Sequence, residues 1–304
     1  MLPASRNKDA LELRSSILYA IREFFIAQHY LEVETPYLLS TVIPEAHIDP
    51  IEVEGRYLHT SPEQCMKMLL AQGFPKIFQI CHCFRKGERG GKHLPEFTML
   101  EWYKVDADYK EIMEECEQMV KFVAEKVGLE GEISYGELKV SLSGHWDRIT
   151  VMEAFERYSE ATVEQALELG KFDELMVSQI EPSLGIKRPC FVYDYPASMS
   201  ALARLSEEDA RFCERFELYI AGLELANGFS ELNDPVEQRE RFLKELSARR
   251  RAGKSTPSMP ERFLESLRDM PDAAGVALGV DRLVMLMAGA LEIDQVVSFS
   301  PEEV

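Results

Sequence analysis

"FRKGERGGKHLPEFTMLEWY", Phe84 to Tyr103, sets a polar, cationic loop between two apolar runs. "KIFQICHCF" before the loop and "EFTMLEWYKV" after it are rich in β-branched and aromatic residues, the composition of strands. Arg85 to Pro95 separates them as a long, mobile tip would separate two antiparallel strands, and Gly87, Gly90 and Gly91 leave that tip little side-chain bulk.

Working outward, "DALELRSSILYAIREFFIAQHY" places Leu13, Ile17, Leu18, Ile21, Phe24 and Phe25 at helical spacing. "LEVETPYLL" reads as a strand that becomes extended at Pro36. "RYLHTSPEQCMKMLLAQG" reads as a short strand, a turn at Ser61-Pro62 and a helix ended by Gly73. Helical periodicity returns in "YKEIMEECEQMVKFVAEKVG" and, less cleanly, over Val151 to Leu184. Strand-like runs follow at "CFVYDYP" and "RFELYIAGLELANGF", then a charged helix over Pro235 to Arg251. The end reads strand "GVALGV", helix "DRLVMLMAG", strand "VVSFS". Strands beside strands, with helices between the groups, predict an α+β fold: an antiparallel sheet flanked by helices rather than alternating βαβ units. All 304 residues are expected to form one domain, with no repeat or linker.

The chain carries 53 acidic against 34 basic side chains, a formal net charge of −19. Such a surface repels polyanions such as tRNA or DNA, so a phosphate site has to be local. The tip, with Arg85, Lys86, Arg89 and Lys92, is the local concentration of positive charge. It reads either as a lid whose arginines hold a polyphosphate in planar forks or as a solvated turn. Six cysteines, no secretory signal and no apolar run long enough for a bilayer predict reduced thiols in the cytoplasm.

Glu96 and Glu101 sit in an otherwise apolar strand, where a carboxylate is costly unless it binds something. "FELYIAGLELANGFSELND" spaces Glu217, Glu224 and Glu231 seven apart. One regular strand cannot put all three on one face, so the Asn227-Gly228 break is expected to redirect the chain. Three carboxylates near a cationic loop suit Mg²⁺ bridged to phosphates or a substrate ammonium; exposed acids are the alternative. In "GVALGVDRLVML" the glycines let a strand approach a ligand and Asp281 is placed to cap a helix whose first turn holds Arg282. "CHCF" brings Cys81, His82 and Cys83 together, but strand alternation separates His82 from both cysteines, which predicts core or edge residues rather than a metal site. "RERFLKELSARRRAGK" is a basic island, read as a solvated helix face or a dock for an acidic partner or a phosphate.

Together and in this order, these segments resemble the three signature motifs of class II aminoacyl-tRNA synthetases. The match is most specific to the lysyl branch, through "TSPEQCMKMLL", "HLPEFTMLEWY", "ELANGFSELND" and "GVALGVDRLVML". The helix before the first motif begins near Asp9, which leaves no room for the OB-fold domain that reads the anticodon. With "FVYDYPASMSALA", that absence makes the chain similar to the elongation factor P (R)-β-lysine ligase family, paralogues of lysyl-tRNA synthetase. The resemblance covers essentially the whole chain, and Thr150 to Lys187 matches poorly.

The resemblance implies ATP-dependent activation of (R)-β-lysine as an adenylate and its transfer to a lysine of elongation factor P, with Mg²⁺ as the metal. By position, Arg85 is expected on the α-phosphate and the carboxylate being activated, and Arg282 on the γ-phosphate. Phe97 is expected to stack on adenine with His93 nearby, and Leu225 and Gly279 to line the nucleotide pocket. Glu217 and Glu224 match the metal positions. Glu231 and Tyr103 are expected to take the ε-ammonium, Ser61 and Glu63 the other amine, and Asn227 and Phe229 to complete that pocket. Ala277 stands where lysyl-tRNA synthetases have glycine, which favours β-lysine over α-lysine. Two departures bear on ATP: Gly87 precedes Glu88 where the family often reads Arg-x-Glu, and Leu94 replaces an asparagine.

The resemblance also implies a homodimer through Glu32 to Leu39, with no tRNA or membrane partner. A truncated lysyl-tRNA synthetase acting on α-lysine and a non-catalytic regulator are the rival readings.

Overall fold

Ile17, Ala20, Ile21, Phe24 and Phe25 form the buried stripe of helix α1 (Lys8–Ala27), because a 3.6-residue period brings them to one side. The computed structural model describes residues 8–304. After α1 come β1 (Leu31–Glu32), α2 (Glu63–Leu70), β2 (Lys76–Phe84), β3 (Glu96–Val105) and α3 (Tyr109–Lys126). Then follow β4 (Asp147–Thr150), β5 (Cys190–Pro196), β6 (Phe212–Ile220), β7 (Leu223–Ser230), α4 (Pro235–Arg251), β8 (Ala273–Gly279) and α5 (Val280–Ala288). The eight strands form one sheet in the order β1-β2-β3-β8-β7-β6-β5-β4.

The six central strands are antiparallel, as expected. Both edges differ: β1 runs parallel to β2, and β4 parallel to β5. Each edge strand reaches its neighbour through an intervening helical segment, the connection a parallel pair requires.

One face of the sheet is covered by α1, α3 and α5. Leu100 and Trp102 of β3, Ala226 of β7, and Val276 and Leu278 of β8 turn into that core. Phe25 of α1 stacks on Phe78 at 4.9 Å and lies 5.1 Å from Trp102. Full burial of such a ring stabilises by about 1.5–3 kcal/mol. Helix α3 starts on a reciprocal capping box between Asp108 and Glu111. On the opposite face, α2, α4 and the segment Phe263–Met270 pack over one end of the sheet and the helical pieces between Val151 and Ile180 over the other, leaving a gap between them.

The run at 212–230 is two strands. They reverse at Ala221 (φ 54°) and Gly222 (φ 73°), the positive φ values that a two-residue hairpin loop demands, rather than at Asn227-Gly228. Gly228 lies inside β7, where an added Cβ would come within 2.6 Å of the Phe216 ring. A register shift leaves Leu225 without a partner between the pairs Leu218↔Ala226 and Tyr219↔Glu224. This bulge changes the phase of β7, so Glu224 shares a face with Asn227, Phe229 and Glu231 despite the odd spacing.

Two further expectations change. The helical reading of 151–184 resolves into short pieces, Val151–Tyr158, Val163–Glu168 and Phe172–Leu175, followed by π and 3₁₀ turns. "VVSFS" is no strand: a 3₁₀ turn at Ile293–Gln295 ends the regular structure. No helix among the described residues is long and apolar enough to cross a membrane.

Candidate active site

Alternation along β3 turns Phe97, Met99, Glu101 and Tyr103 away from the helix layer and into a cavity of about 530 Å³. Strands β7 and β8, helix α2 and the Arg85–Pro95 loop complete its walls. Every residue assigned above to nucleotide or substrate lines this one cavity, and Glu217 alone does not.

Arg85 and Arg282 come from distant parts of the chain and meet at its cationic end with Lys92 and His93. The Arg85 guanidinium lies over the Phe97 ring at 5.1 Å, 3.9 Å from Glu88, and its Nε donates to the Thr60 carbonyl at 3.4 Å. Arg282 donates from Nη1 to the Glu224 carbonyl at 2.7 Å and stands 3.4 Å from the Glu224 carboxylate. Its Nη2 is 2.6 Å from His93 Nε2. Burial and the Arg282 charge push the His93 pKa down, so the ring is neutral near pH 7 and accepts that bond. Of the two departures in this region, Glu88 and Leu94 both line the cavity.

The loop is anchored rather than a loose tip. Arg89 donates to Glu302 at 2.8 Å and to Asp294 at 2.8 Å, and Gly91 accepts from the Ile293 amide at 2.8 Å. Asp281 is no helix cap either. Its carboxylate accepts from Arg14 at 2.5 Å and from the Thr98 amide at 2.8 Å, tying α1, β3 and α5 together next to Arg282.

The other end of the cavity is acidic. Glu101 accepts from Ser61 at 2.5 Å and from Tyr103 at 2.8 Å, so both hydroxyls hold this carboxylate instead of facing a ligand unencumbered. Lys67, wholly buried, donates to Glu63 at 2.5 Å and forms an ion pair with Glu231. Burial opposes the Lys67 charge, but Glu231 and Glu63 together hold its pKa above the ordinary value. Burial pushes Glu231 up to about 8 in spite of Lys67, and its Oε1 has no hydrogen-bond partner among the described residues. Burial and the nearby charge of Glu63 also hold Glu101 well above its ordinary value. Glu45 also lines the cavity, raised to about 7 by burial. Raised carboxyl pKa values mark ionised forms that are undercompensated here, a deficit that an ammonium would offset by displacing a proton. Gly275 is required on this wall, since a Cβ there would lie 2.3 Å from the Tyr103 ring.

For a divalent cation the pair Glu217 and Glu224 divides. Glu224 reaches the cavity, and burial together with the Glu217 charge raises its pKa, a surplus that a cation relieves. Glu217, expected as a second metal ligand, lies outside the cavity lining: its Oε2 accepts from Tyr195 and Tyr219 at 2.6 Å each, and its Oε1 pairs with Arg215. Both of its oxygens are engaged by the protein in this arrangement.

Lys67, Glu45 and Glu181 were missed by the sequence reading. Lys67 was legible as the i+4 partner of Glu63 on a helix. Glu181, raised to about 7 by burial and by Glu224 and Glu217, comes from the poorly matching segment and gave no signal. The sequence marks Glu101 only as a carboxylate in an apolar strand.

An antiparallel sheet with guanidinium groups from its central hairpin and from the strand–helix junction at its end defines a class II synthetase active site. The chain belongs to the family of tRNA synthetases class II (D, K and N), whose model matches residues 2–303.

Within it, the chain is 39% identical to the elongation factor P (R)-β-lysine ligase of Enterobacter sp. (strain 638), over 94% of this chain and 93% of that protein. The ligase of the same name from Edwardsiella ictaluri (strain 93-146) is 40% identical over 94% and 93%. That from Vibrio atlanticus (strain LGP32) is 37% identical over 98% and 97%.

Proposed function

We propose that this enzyme activates (R)-β-lysine with ATP and transfers the acyl group to a lysine side chain of elongation factor P. The observation that carries this reading is the polarity of one cavity: Arg85, Lys92 and Arg282 at one end, Glu63, Glu101 and Glu231 at the other. A nucleoside triphosphate and a diamino acid satisfy the two ends together. The names of the relatives supply the acceptor.

In the first step the substrate carboxylate attacks the α-phosphorus of ATP and pyrophosphate leaves, giving the aminoacyl adenylate. Arg85 holds the carboxylate against the α-phosphate and Arg282 the γ-phosphate, so fixed charge meets the charge that builds in the transition state. Phe97 supports the adenine. In the second step the ε-amine of the acceptor lysine attacks the acyl carbon, AMP leaves and the amine loses a proton. Mg²⁺ would supply charge neutralisation for the phosphates, and Glu224 is the carboxylate that would hold it.

Glu231, with Tyr103 behind it, takes the distal ammonium, and Glu63 and Glu101 the other amine. A site that buries carboxylates for this purpose rejects an amino acid lacking the second amine, because those groups would stay unpaired. The methyl of Ala277, opposite Asn227 on β7, narrows the pocket in favour of the β-isomer.

A homodimer is part of this reading. Tyr19, Ile26, Leu31, Tyr37 and Leu38 expose large apolar side chains on α1 and the segment after it, a surface suited to a second copy. A cytoplasmic setting is also part of it, and all six cysteines are free thiols.

Pyrophosphate exchange with α- and β-lysine isomers, followed by the mass of treated elongation factor P, tests substrate and acceptor together. The reading expects exchange strongest with (R)-β-lysine and a β-lysyl increment on the factor. Charging of tRNA with no change in the factor would overturn it.

A further inference from the structure

His59, Cys81 and Cys83 form a buried trio behind the cavity wall, and none of them has a part in the chemistry above. Strand alternation puts both cysteines of β2 on one side and sends His82 to the other, where it bonds Glu96 at 2.7 Å. The imidazole on the cysteine side comes from His59, which only the tertiary fold supplies. All three are nearly inaccessible: His59 1%, Cys81 3%, Cys83 0%. The sulfurs are 3.9 Å apart, and Cys83 Sγ is 4.0 Å from His59 Nε2. The three donor atoms all lie within 4.8 Å of one another.

A cation about 2.3 Å from each sulfur would see them at an angle of about 115°, between tetrahedral and trigonal. The Met99 thioether, 3.9 Å from Cys83 Sγ, adds a fourth soft donor. Thiolate, thioether and imidazole select soft d¹⁰ cations over Mg²⁺ or Ca²⁺. Phe97, Met99 and Ala277 border both the thiol cluster and the substrate cavity, so the two sites share a wall.

We propose that His59, Cys81 and Cys83 bind one soft d¹⁰ cation, Zn²⁺ or Cu⁺, with Met99 closing the site. Two thiol protons leave on loading. His59 exchanges its Nε2 contact with the His82 carbonyl, at 2.7 Å, for the metal. Its proton moves to Nδ1, a buried nitrogen with no hydrogen-bond partner among the described residues. The bound ion would clamp the segment leading into Ser61 and Glu63 to the strand leading into Arg85. These are already joined by the Phe84 amide on the His59 carbonyl at 3.0 Å.

The test is titration of the reduced, chelator-stripped protein with Co²⁺, with Zn²⁺, and with Cu⁺ against a chromophoric competitor. The expected result is one equivalent bound, with a sulfur-to-cobalt charge-transfer band that Zn²⁺ removes in the first case. Native mass spectrometry should show the metal adduct short of two protons. Cys81→Ser and Cys83→Ser each lose at least tenfold in affinity, whereas Cys190→Ser and Glu224→Gln bind as the parent does. Tight Co²⁺ and Zn²⁺ uptake assigns the site to Zn²⁺; uptake of Cu⁺ alone assigns it to Cu⁺. No thiolate band together with no Cu⁺ uptake, or a stoichiometry indifferent to both serines, overturns the proposal. Because the parent protein is read by mass and absorption, a serine variant that fails to fold leaves the test intact.

Discussion

The ammonium of Lys67 forms an ion pair with Glu231 at the acidic end of the cavity, with neither side chain accessible to solvent. A charge of the protein's own thus partly fills the need that a substrate ammonium would complete. Removing one partner of such a pair leaves the other buried and uncompensated, at about 3–5 kcal/mol. Lys67→Met is expected to lower the melting temperature by several degrees in a thermal scan, and an unchanged transition would show that the pair is not stabilising.

The raised pKa of Glu231 gives a pH dependence with a definite sign. Folding lifts it from about 4.5 to about 8, so between these values the folded state binds the extra proton. This contribution to stability is therefore lost as pH rises through the window. Amine binding runs the other way, because an ammonium pairs with the carboxylate form and expels the proton. Affinity for the diamino acid should increase from pH 6 to pH 8 in calorimetry, and Glu231→Gln should weaken binding and flatten the profile.

Arg85→Lys and Arg282→Lys keep a charge but lose the planar fork. Each is expected to reduce pyrophosphate exchange by about 10²-fold. Both side chains are partly solvated and enclose no core, so melting temperatures should stay close to the parent. Loss of folding in step with loss of activity would refute a role on the phosphates.

Glu224 and Glu217 should respond differently to the same change. Glu224→Gln is expected to raise the Mg²⁺ concentration for half-maximal exchange with little effect on stability. Glu217→Gln removes the charge facing Arg215 and turns one of its two acceptor oxygens into a donor, so Arg215 and the two tyrosine hydroxyls cannot all keep their acceptor, at an expected cost of about 1–3 kcal/mol in chemical denaturation. Equal Mg²⁺ effects in the two variants would return Glu217 to the metal.

Asp281 joins three elements through Arg14 and the Thr98 amide. Asp281→Ala leaves Arg14 and that amide without their acceptor. The expected loss is about 3 kcal/mol by urea unfolding, together with weaker ATP binding as Arg282 next to it loses its support.

Much of the site was legible because its residues carry their own local signals. A glycine-bearing cationic loop between apolar strands announced Arg85, and a carboxylate in an apolar strand announced Glu101. Three glutamates at odd spacing required a change of phase, but the sequence misplaced it. The hairpin at Ala221 and Gly222 and the bulge at Leu225 supply it, and neither has a strong composition mark. The two parallel edge pairs went unread for a related reason: strand direction depends on the path of the connection, not on the strand's own residues.

The sequence by itself determined which face of each strand is apolar, where the long helices lie and which charged groups stand at strand ends, because periodicity and turn chemistry act over a few residues. Only the tertiary structure decided how charges pair: that Lys67 lies between Glu63 and Glu231, that Glu217 is spent on Arg215 and two tyrosines, and that His59 joins Cys81 and Cys83. Those partnerships depend on distances of a few ångströms between segments remote in the chain, and Coulomb and coordination energies turn on such distances and on burial.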